Sequence, residues 1–344
     1  MKKFSGTTLN GLMKRSAALM LLVVLLALTA CGTTPEAQPN NGAQTAPPAQ
    51  NAGAGQEGAA PKSAAYPVTV TDGAGLQVTI AEEPKTIVTL IPSITETAFE
   101  LGLGEKIVGV SNYCNFPEEA LKKERLGGRE IDVEKLLQLA PDVAFVTNHH
   151  HEKYPDVLDK IRQAGIQVVV VQSSANSFED VYRSIRLMSA VTGTGDKAEQ
   201  LIASMMKKKQ EIQEKAAKID KPKRVWIEVF SGLHTTGANT FMHEMLQTIN
   251  AVNVAGDQNG WIQLTEEQVV ALDPEVIITT YGKRNGQTEE EVMKRPGWSG
   301  VSAVANKQVF DVDNERVNRP GPHMMDGVEI LAAAIYPEIF KQPE

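Results

Sequence analysis

The sequence predicts an α/β protein built as two Rossmann-like lobes joined by one long α-helix. Three observations carry that reading. In each half, short β-rich runs alternate with segments of helical period, the pattern of a parallel sheet covered on both faces. Glu134–Thr147 aligns without a gap on Glu267–Thr280, and each stretch reads as a helix, a Pro-acid turn and a strand. Between the halves, Asp196 to Ile219 contains neither Gly nor Pro and sets Ala198, Leu201, Ile202, Met205, Ile212 and Ala216 at helical spacing among lysines and glutamates.

At the N-terminus, Lys2, Lys3, Lys14 and Arg15 precede an uncharged apolar run from Ala17 to Leu28 that ends in Leu28-Thr29-Ala30-Cys31. The run is shorter than the ~20 residues that cross a bilayer core. Residues 1–30 are therefore expected to be a secretory signal peptide. The order resembles a bacterial lipobox, in which Cys31 becomes the acylated first residue of the mature protein. Residues 31–65 are mostly Ala, Gly, Gln, Asn, Pro and Thr, too poor in large apolar side chains to build a core, and are expected to be a disordered tether. A flexible coil of roughly thirty residues spans about 30 Å by the ~5–6 Å × √n rule, enough to hold a domain near a membrane.

The first lobe is placed at 66–193. Val68–Val70 and Val78–Ile80 flank Asp72-Gly73, a hairpin signal. Thr86–Ile91, Ile107–Val110, Asp142–Thr147 and Gln167–Val171 follow as strands. Ser93-Ile-Thr-Glu96 has the spacing of a capping box, with Gly102 or Gly104 as the stop. Ser177 opens a helix whose Phe178, Val181, Ile185 and Met188 share one face before Gly193. The connecting helix is assigned to 194–220 and the second lobe to 221–344. There Arg224–Val229, Glu275–Thr280 and Gln308–Val312 read as strands, and helices open at Thr240, Thr265-x-x-Gln268 and Thr288-x-x-Glu291. A single stiff connector permits only a small hinge motion between lobes.

Hydrophobic residues make up 42% of the chain and charged residues 22%, ordinary for a soluble domain. A formal net charge of -8 argues against a nucleic-acid partner, which demands a basic face. There are 2 cysteines; with Cys31 lipidated, Cys114 has no intrachain partner, so no disulfide is expected and Cys114 reads as a small buried hydrophobe.

Ile87-Val-Thr-Leu-Ile-Pro-Ser-Ile-Thr-Glu96 and Ile107-Val-Gly-Val-Ser-Asn-Tyr-Cys-Asn-Phe-Pro117 resemble the opening of class III periplasmic binding proteins, which serve vitamin B12, iron-siderophore and haem importers. Pro141-Asp142-Val143, Gly260-Trp261 and Arg319-Pro-Gly-Pro322 extend the resemblance over nearly everything after the tether. It implies a monomeric, extracytoplasmic, lipid-anchored substrate-binding protein of an ABC importer, acting with a permease dimer and its ATPase and with no resident cofactor or metal. It implies a shallow cleft at the carboxyl ends of the strands, lined by Ser93, Tyr113, Arg129, the His149-His150-His151 run, His234, Trp261 and Asn314 to Arg319, Arg316 included. Tyr113 and Trp261 offer flat apolar faces with a polar handle, suited to a planar macrocycle. The resemblance also implies that Glu134 and Glu267, one from each lobe, meet arginines on the two permease subunits. Independently, two equivalent acids on equivalent helices suit a partner of two-fold symmetry.

A corrinoid is the expected cargo, because the Tyr113 and Gly260-Trp261 blocks are similar to cobalamin-type members. A ferric siderophore or haem is the alternative. A siderophore site presents several basic side chains, and Arg129, Arg316 and Arg319 are the candidates here. His323 stands after Pro322 where the family shows a further arginine, which opens a reading of His323 as a haem ligand. Consecutive histidines on a strand or loop do not all face one ion, so no three-His zinc site is expected. The run reads as an exposed, pH-sensitive loop, with axial ligation of cobalt or haem iron by one of the three as the alternative. No Gly-x-Ser-x-Gly elbow, His-Glu-x-x-His or glycine-rich phosphate loop occurs. The chain therefore reads as a binder and not an enzyme; a secreted metal-dependent hydrolase and a ligand-sensing receptor subunit are the readings from other classes.

Overall fold

The computed structural model describes residues 65–282 and 288–341. The signal peptide, Cys31 and nearly all of the tether lie outside the described residues. The chain enters through an antiparallel hairpin, β1 (Val68–Thr71) and β2 (Gln77–Ile80). Its turn is stitched to the neighbouring sheet: Asp72 accepts from the amides of Ala74, Leu76 and Val170, and the Gly73 amide donates to the Val170 carbonyl at 2.7 Å. A Cβ on Gly73 would sit 3.0 Å from both the Gln172 amide and the Val170 carbonyl, so this turn requires glycine.

Two parallel sheets follow. The first contains β3 (Ile87–Thr89), β4 (Ile107–Val110), β5 (Glu124–Arg125), β6 (Val143–Thr147) and β7 (Gln167–Val171), in the order β5-β4-β3-β6-β7. The second lobe contains β8 (Arg224–Glu228), β9 (His234–Thr236), β10 (Val252–Asn253), β11 (Trp261–Gln263), β12 (Val276–Thr279) and β13 (Val309–Asp311). Its four-stranded sheet runs β10-β8-β12-β13, and β9 pairs with β11 as a small antiparallel ribbon. With the two-residue edge strand β5 set aside, the parallel strands of each lobe occupy the same spatial order: second, first, third, fourth. β3, β6 and β12 are buried along their whole length, as a parallel sheet covered on both faces demands.

The sequence repeat is thus a repeat of architecture. The helices Val133–Leu139 and Glu266–Leu272 both end in a left-handed non-glycine residue, Ala140 (φ 44) and Asp273 (φ 42). A proline follows each, and then the acid noted in the sequence. Asp142 Oδ2 accepts from the amides of Lys85 (2.7 Å) and Thr86 (2.9 Å), and Glu275 Oε2 accepts from the amide of Arg224 (2.9 Å). In both lobes the acid of the Pro-acid turn fastens the chain entering the adjacent first strand, β3 or β8. That is why an acid recurs there.

The connecting helix, Gly195–Ala216, has 22 residues and spans about 33 Å at 1.5 Å per residue. Ala198, Ile202, Met205, Ile212 and Ala216 are buried along it as their spacing predicts. Arg186 pairs with Glu199 at 2.9 Å near its first-lobe end, whereas Lys208–Asp326 and Lys209–Glu244, both 2.7 Å, tie its later turns to the second lobe. One apolar cluster runs from Ile87 through Met205 to Ile227 and Leu331, so the lobes share packing through this helix.

Caps form at Ser177 with Asp180, at Thr265 with Gln268 and at Thr240, and Gly193 closes its helix in the left-handed conformation. Two local expectations are corrected. The Ser93 box does not form: the helix Pro92–Glu100 begins with Ile91 as N-cap and Pro92 in its first turn, Ser93 lies inside it, and Glu96 is buried in an ion pair. Proline, pre-set for the first turn, is the start signal there. The histidine run is not a loop but a short helix, Asn148–Lys153, capped reciprocally by Thr147 and His150. Cys114 is buried as expected, with its Sγ 3.0 Å from Thr95 Oγ1.

Candidate functional site

Open α/β sheets bind ligands beyond the carboxyl ends of the strands, at the point where strand order reverses. The order reverses between β3 and β6 in the first lobe and between β8 and β12 in the second. The residues just beyond these ends include Pro92 after β3, Val229 and Phe230 after β8, and Thr280 and Tyr281 after β12. They meet in one cleft of about 430 Å³. Asn112, Tyr113 and Asn115 complete the first-lobe wall, and Asn314, Glu315, Asn318 and Arg319 complete the second.

Aromatic faces dominate the mouth. Tyr113 is 57% exposed and Phe230 60% exposed. The loop carrying Tyr113 is braced by Arg125, whose Nη1 donates to the carbonyls of Ser111 (2.9 Å) and Cys114 (2.6 Å). The Tyr113 ring lies against Gly128, where a Cβ would come within 2.9 Å of the phenol oxygen. Tyr281 is anchored from below. Glu228, with a fully buried side chain, accepts from both Nη atoms of Arg295 at 2.7 and 2.9 Å, and Arg295 Nη2 donates to the Tyr281 hydroxyl at 3.3 Å. Burial, then the Glu228 carboxylate, pushes the Tyr281 phenol well above its usual range, so it remains a neutral donor.

The polar part of the cleft is amide-rich. Asn318 Nδ2 donates to Thr280 Oγ1 at 3.0 Å, while its buried Oδ1 has no partner among the described residues. Asn115 Nδ2 donates to Glu315 Oε1 at 2.6 Å and its Oδ1 accepts from Arg319 Nη2 at 2.8 Å. Arg319 Nη1 also donates to Glu96 Oε1 at 2.7 Å, across the two lobes, and Nη2 lies 3.3 Å from Glu315. Burial raises the Glu96 pKa, opposed by the Arg319 charge. The guanidinium is therefore committed to two carboxylates and an amide before any ligand arrives.

Of the residues expected at the mouth, Tyr113 and, from the span Asn314 to Arg319, Asn314, Glu315, Asn318 and Arg319 line the cleft. Ser93 does not; it is buried against the Pro320-Gly321 segment, and a Cβ on Gly321 would lie 3.2 Å from its own. Arg316 turns away, stacking over Phe116 at 4.5 Å with Asp326 at 3.9 Å, beside a separate hollow of about 1110 Å³. His234 and Trp261 stand on the β9–β11 ribbon at the flank: His234 is edge-on to Phe230 at 6.5 Å, and Trp261, 47% exposed, packs against Phe241 at 6.4 Å. Arg129 follows Gly128 and is exposed, with no hydrogen bond or ion pair among the described residues. Glu134 and Glu267 are both exposed at the second position of their helices. Hydrogen bonds from its own backbone amide and from Thr265 lower the Glu267 pKa.

None of the histidines lies among the residues that line the cleft, and the buried Nε2 atoms of His149 and His323 have no hydrogen-bond partner among the described residues. His323 sits between Glu100 (3.4 Å) and Asp326 (3.6 Å) and edge-on to Phe116 at 5.2 Å, outside the cleft lining. The His323 hydrogen bond first, and then Lys208, pull Asp326 down to about 2 against the effect of burial. His149 and His151 are half-buried, with His149 edge-on to Tyr154 at 5.9 Å. His150 is 2% exposed, and its Nδ1 accepts from the Thr147 amide at 3.2 Å. The expected pH-sensitive loop is therefore replaced by a buried histidine whose pKa is lowered, first by burial. Above about pH 6.5 the ring is neutral in both states; as pH falls through that value the unfolded chain takes a proton that the native chain refuses. Native stability is accordingly expected to drop on acidification until the lower native pKa is reached. His150→Asn, which keeps an acceptor for Thr147, should flatten that part of a melting-temperature profile, leaving the contribution of His243, also lowered by burial.

Phe230 and Tyr281 were not singled out by the sequence, and Asn318 was covered only as part of the span Asn314 to Arg319. Phe230 and Tyr281 each sit two residues beyond a strand flanking the switch point, so topology locates them where composition does not. Two parallel lobes of one topology, one connecting helix and a cleft at both switch points define a class III periplasmic binding protein. The chain belongs to this family, and the family model of periplasmic binding proteins matches residues 87–315. The chain is 40% identical over 330 residues to the ABC transporter substrate-binding lipoprotein YvrC of Bacillus subtilis, across 95% of this chain and 98% of that protein. A cobalamin-binding protein of Halobacterium salinarum is 26% identical across 94% of this chain and 86% of its own. A possible iron-binding periplasmic solute-binding protein from Staphylococcus epidermidis matches in structure with a TM-score of 0.69 and 29% identity, over 74% of this chain and all (100%) of that one.

Proposed function

We propose that this substrate-binding protein of an ABC importer takes a corrinoid into its cleft and is held outside the cytoplasm by lipid on Cys31. The observation that carries the cargo is the cleft's chemistry. It joins aromatic faces from both lobes to asparagines and to an arginine already neutralised within the protein. A corrin ring is flat, weakly charged and edged with primary amides; such amides are donors for the unpartnered Asn318 Oδ1. A cleft of this size holds part of a macrocycle and leaves the rest in solvent. Arg129, exposed outside the cleft lining but next to Gly128, on which the Tyr113 ring rests, would be the cation for the phosphate of a complete cobalamin. The cobalamin-binding relative supports the same reading.

The alternatives find less. An anionic ferric chelate calls for several uncommitted cations, yet Arg319 is engaged and Arg316 faces elsewhere. Haem calls for an axial ligand, yet none of the residues lining the cleft is a histidine, and His323 is held between carboxylates outside it. Glu134 and Glu267 are proposed to dock on the permease dimer that receives the cargo.

Intrinsic tryptophan fluorescence of the purified protein, titrated with cyanocobalamin, cobinamide, haemin and ferric siderophores, tests the cargo. Saturable submicromolar quenching by the corrinoids is expected. A response confined to haemin or a ferric chelate would keep the protein class and replace the cargo, and silence to the whole panel would reopen the hydrolase and sensor readings.

A further inference from the structure

The repeated helices share more than a glutamate. Val133–Leu139 and Glu266–Leu272 have equal length, the same kind of C-cap and matching exposure from their second residue onward. Leu136 and Val269 are the fully buried anchors. At the exposed positions the chemistry mostly diverges: Lys135 corresponds to Gln268, and Gln138 to Ala271. Two positions agree. One holds Glu134 and Glu267. The other, three residues on, holds Leu137 and Val270, each 37% exposed. Residues three apart are neighbours on a helix surface, so each lobe presents a carboxylate beside a partly exposed branched aliphatic side chain.

Leu136 and Val269 are the fully buried anchors of these helices, whereas over a third of Leu137 and of Val270 remains in contact with solvent. Exposed apolar residues occur elsewhere on the surface, but these two fall on equivalent positions of a duplicated unit beside equivalent charges. We infer that Leu137 and Val270 are the apolar halves of two docking pads for the permease dimer. The partner then carries a basic side chain next to an apolar recess, twice, about a two-fold axis. The inference rests on reading the chain as an importer's binding protein. Charge sets encounter rate and register, whereas solvated charges at a rim add little to affinity. A desolvated aliphatic contact lengthens the lifetime of the docked state. Each pad therefore pairs a steering group with a holding group.

The test measures capture of the detergent-solubilised permease–ATPase complex by immobilised full-length protein, at low and high salt. The variants are Leu137→Gln with Val270→Gln, Glu134→Ala with Glu267→Ala, and Leu121→Gln as an exposed control outside the repeat. The aliphatic double variant is expected to bind about tenfold more weakly at every salt concentration, with cyanocobalamin quenching and melting temperature unchanged. The glutamate double variant is expected to lose its salt dependence. If the aliphatic variant binds like wild type while the glutamate variant is weakened, the pads are wrong and the importer reading stands. Equal weakening by Leu121→Gln would also overturn the pads. If the unmodified protein captures no complex, the importer reading fails and the inference with it.

Discussion

Phe230→Ala is expected to weaken corrinoid binding by roughly fifty- to hundredfold while leaving the fold intact. The ring is 60% exposed in the cleft, so its removal takes little packing from the free protein. A macrocycle lying against it would cover roughly 100 Å² of ring that water now touches, worth about 2.5 kcal/mol at ~25 cal/mol per Å². Tyr113→Ala, on the facing lobe, should cost a similar factor, and more if the two rings clamp one ligand face each. Trp261→Ala, on the flanking ribbon, should matter much less. The same fluorescence titration reads the first two losses directly, and absorbance of retained cobinamide reads the third, since that variant lacks the exposed indole. A loss confined to Trp261→Ala would move the site from the switch-point cleft to the β9–β11 flank.

That contrast also marks where the sequence is informative. Strands such as Asp142–Thr147 and the connecting helix are legible because long apolar runs and helical periodicity follow from burial alone. The repeat is legible because Pro141-Asp142 and Pro274-Glu275 perform the same fastening in both lobes, which constrains the same residue types. Short elements such as β5, β10 and the ribbon are too brief to show a period. In the site, Tyr113 stands out against polar neighbours, whereas Phe230 closes an apolar run and is indistinguishable from core until the strand is known to end at Glu228. Side-chain direction is the larger gap. Arg316 and Arg319 lie three residues apart on one segment, yet one stacks on Phe116 and the other crosses to Glu96. His150 and Ser93 sit at plausible mouth positions in the chain but are drawn inward, one by capping and one by the opposing Gly321 backbone. Such choices depend on partners remote in sequence.

The second large effect concerns the support of the cleft and not its surface. Arg295→Ala is expected to destabilise the protein by about 3–5 kcal/mol, the usual cost of stranding one member of a buried ion pair. Glu228 lies at the end of β8 with its side chain fully buried, and without Arg295 it would keep the Leu233 amide at 3.2 Å and the Tyr281 hydroxyl as donors but no countercharge. Against a typical total stability of ~5–15 kcal/mol, that cost would unfold a marginal domain. Tyr281 would lose its donor and Trp298 the guanidinium now 4.7 Å above its ring, so corrinoid affinity should fall even where the fold survives. Glu228→Gln combined with Arg295→Met removes both charges at nearly constant volume and should recover most of the stability, because a buried pair contributes little net beyond its own desolvation. It should not recover the affinity, because methionine offers the Tyr281 hydroxyl no donor. Urea denaturation with parallel cobinamide titration separates the two. A single variant costing less than about 1 kcal/mol would mean that water reaches Glu228, and that Tyr281 is not held as a fixed wall.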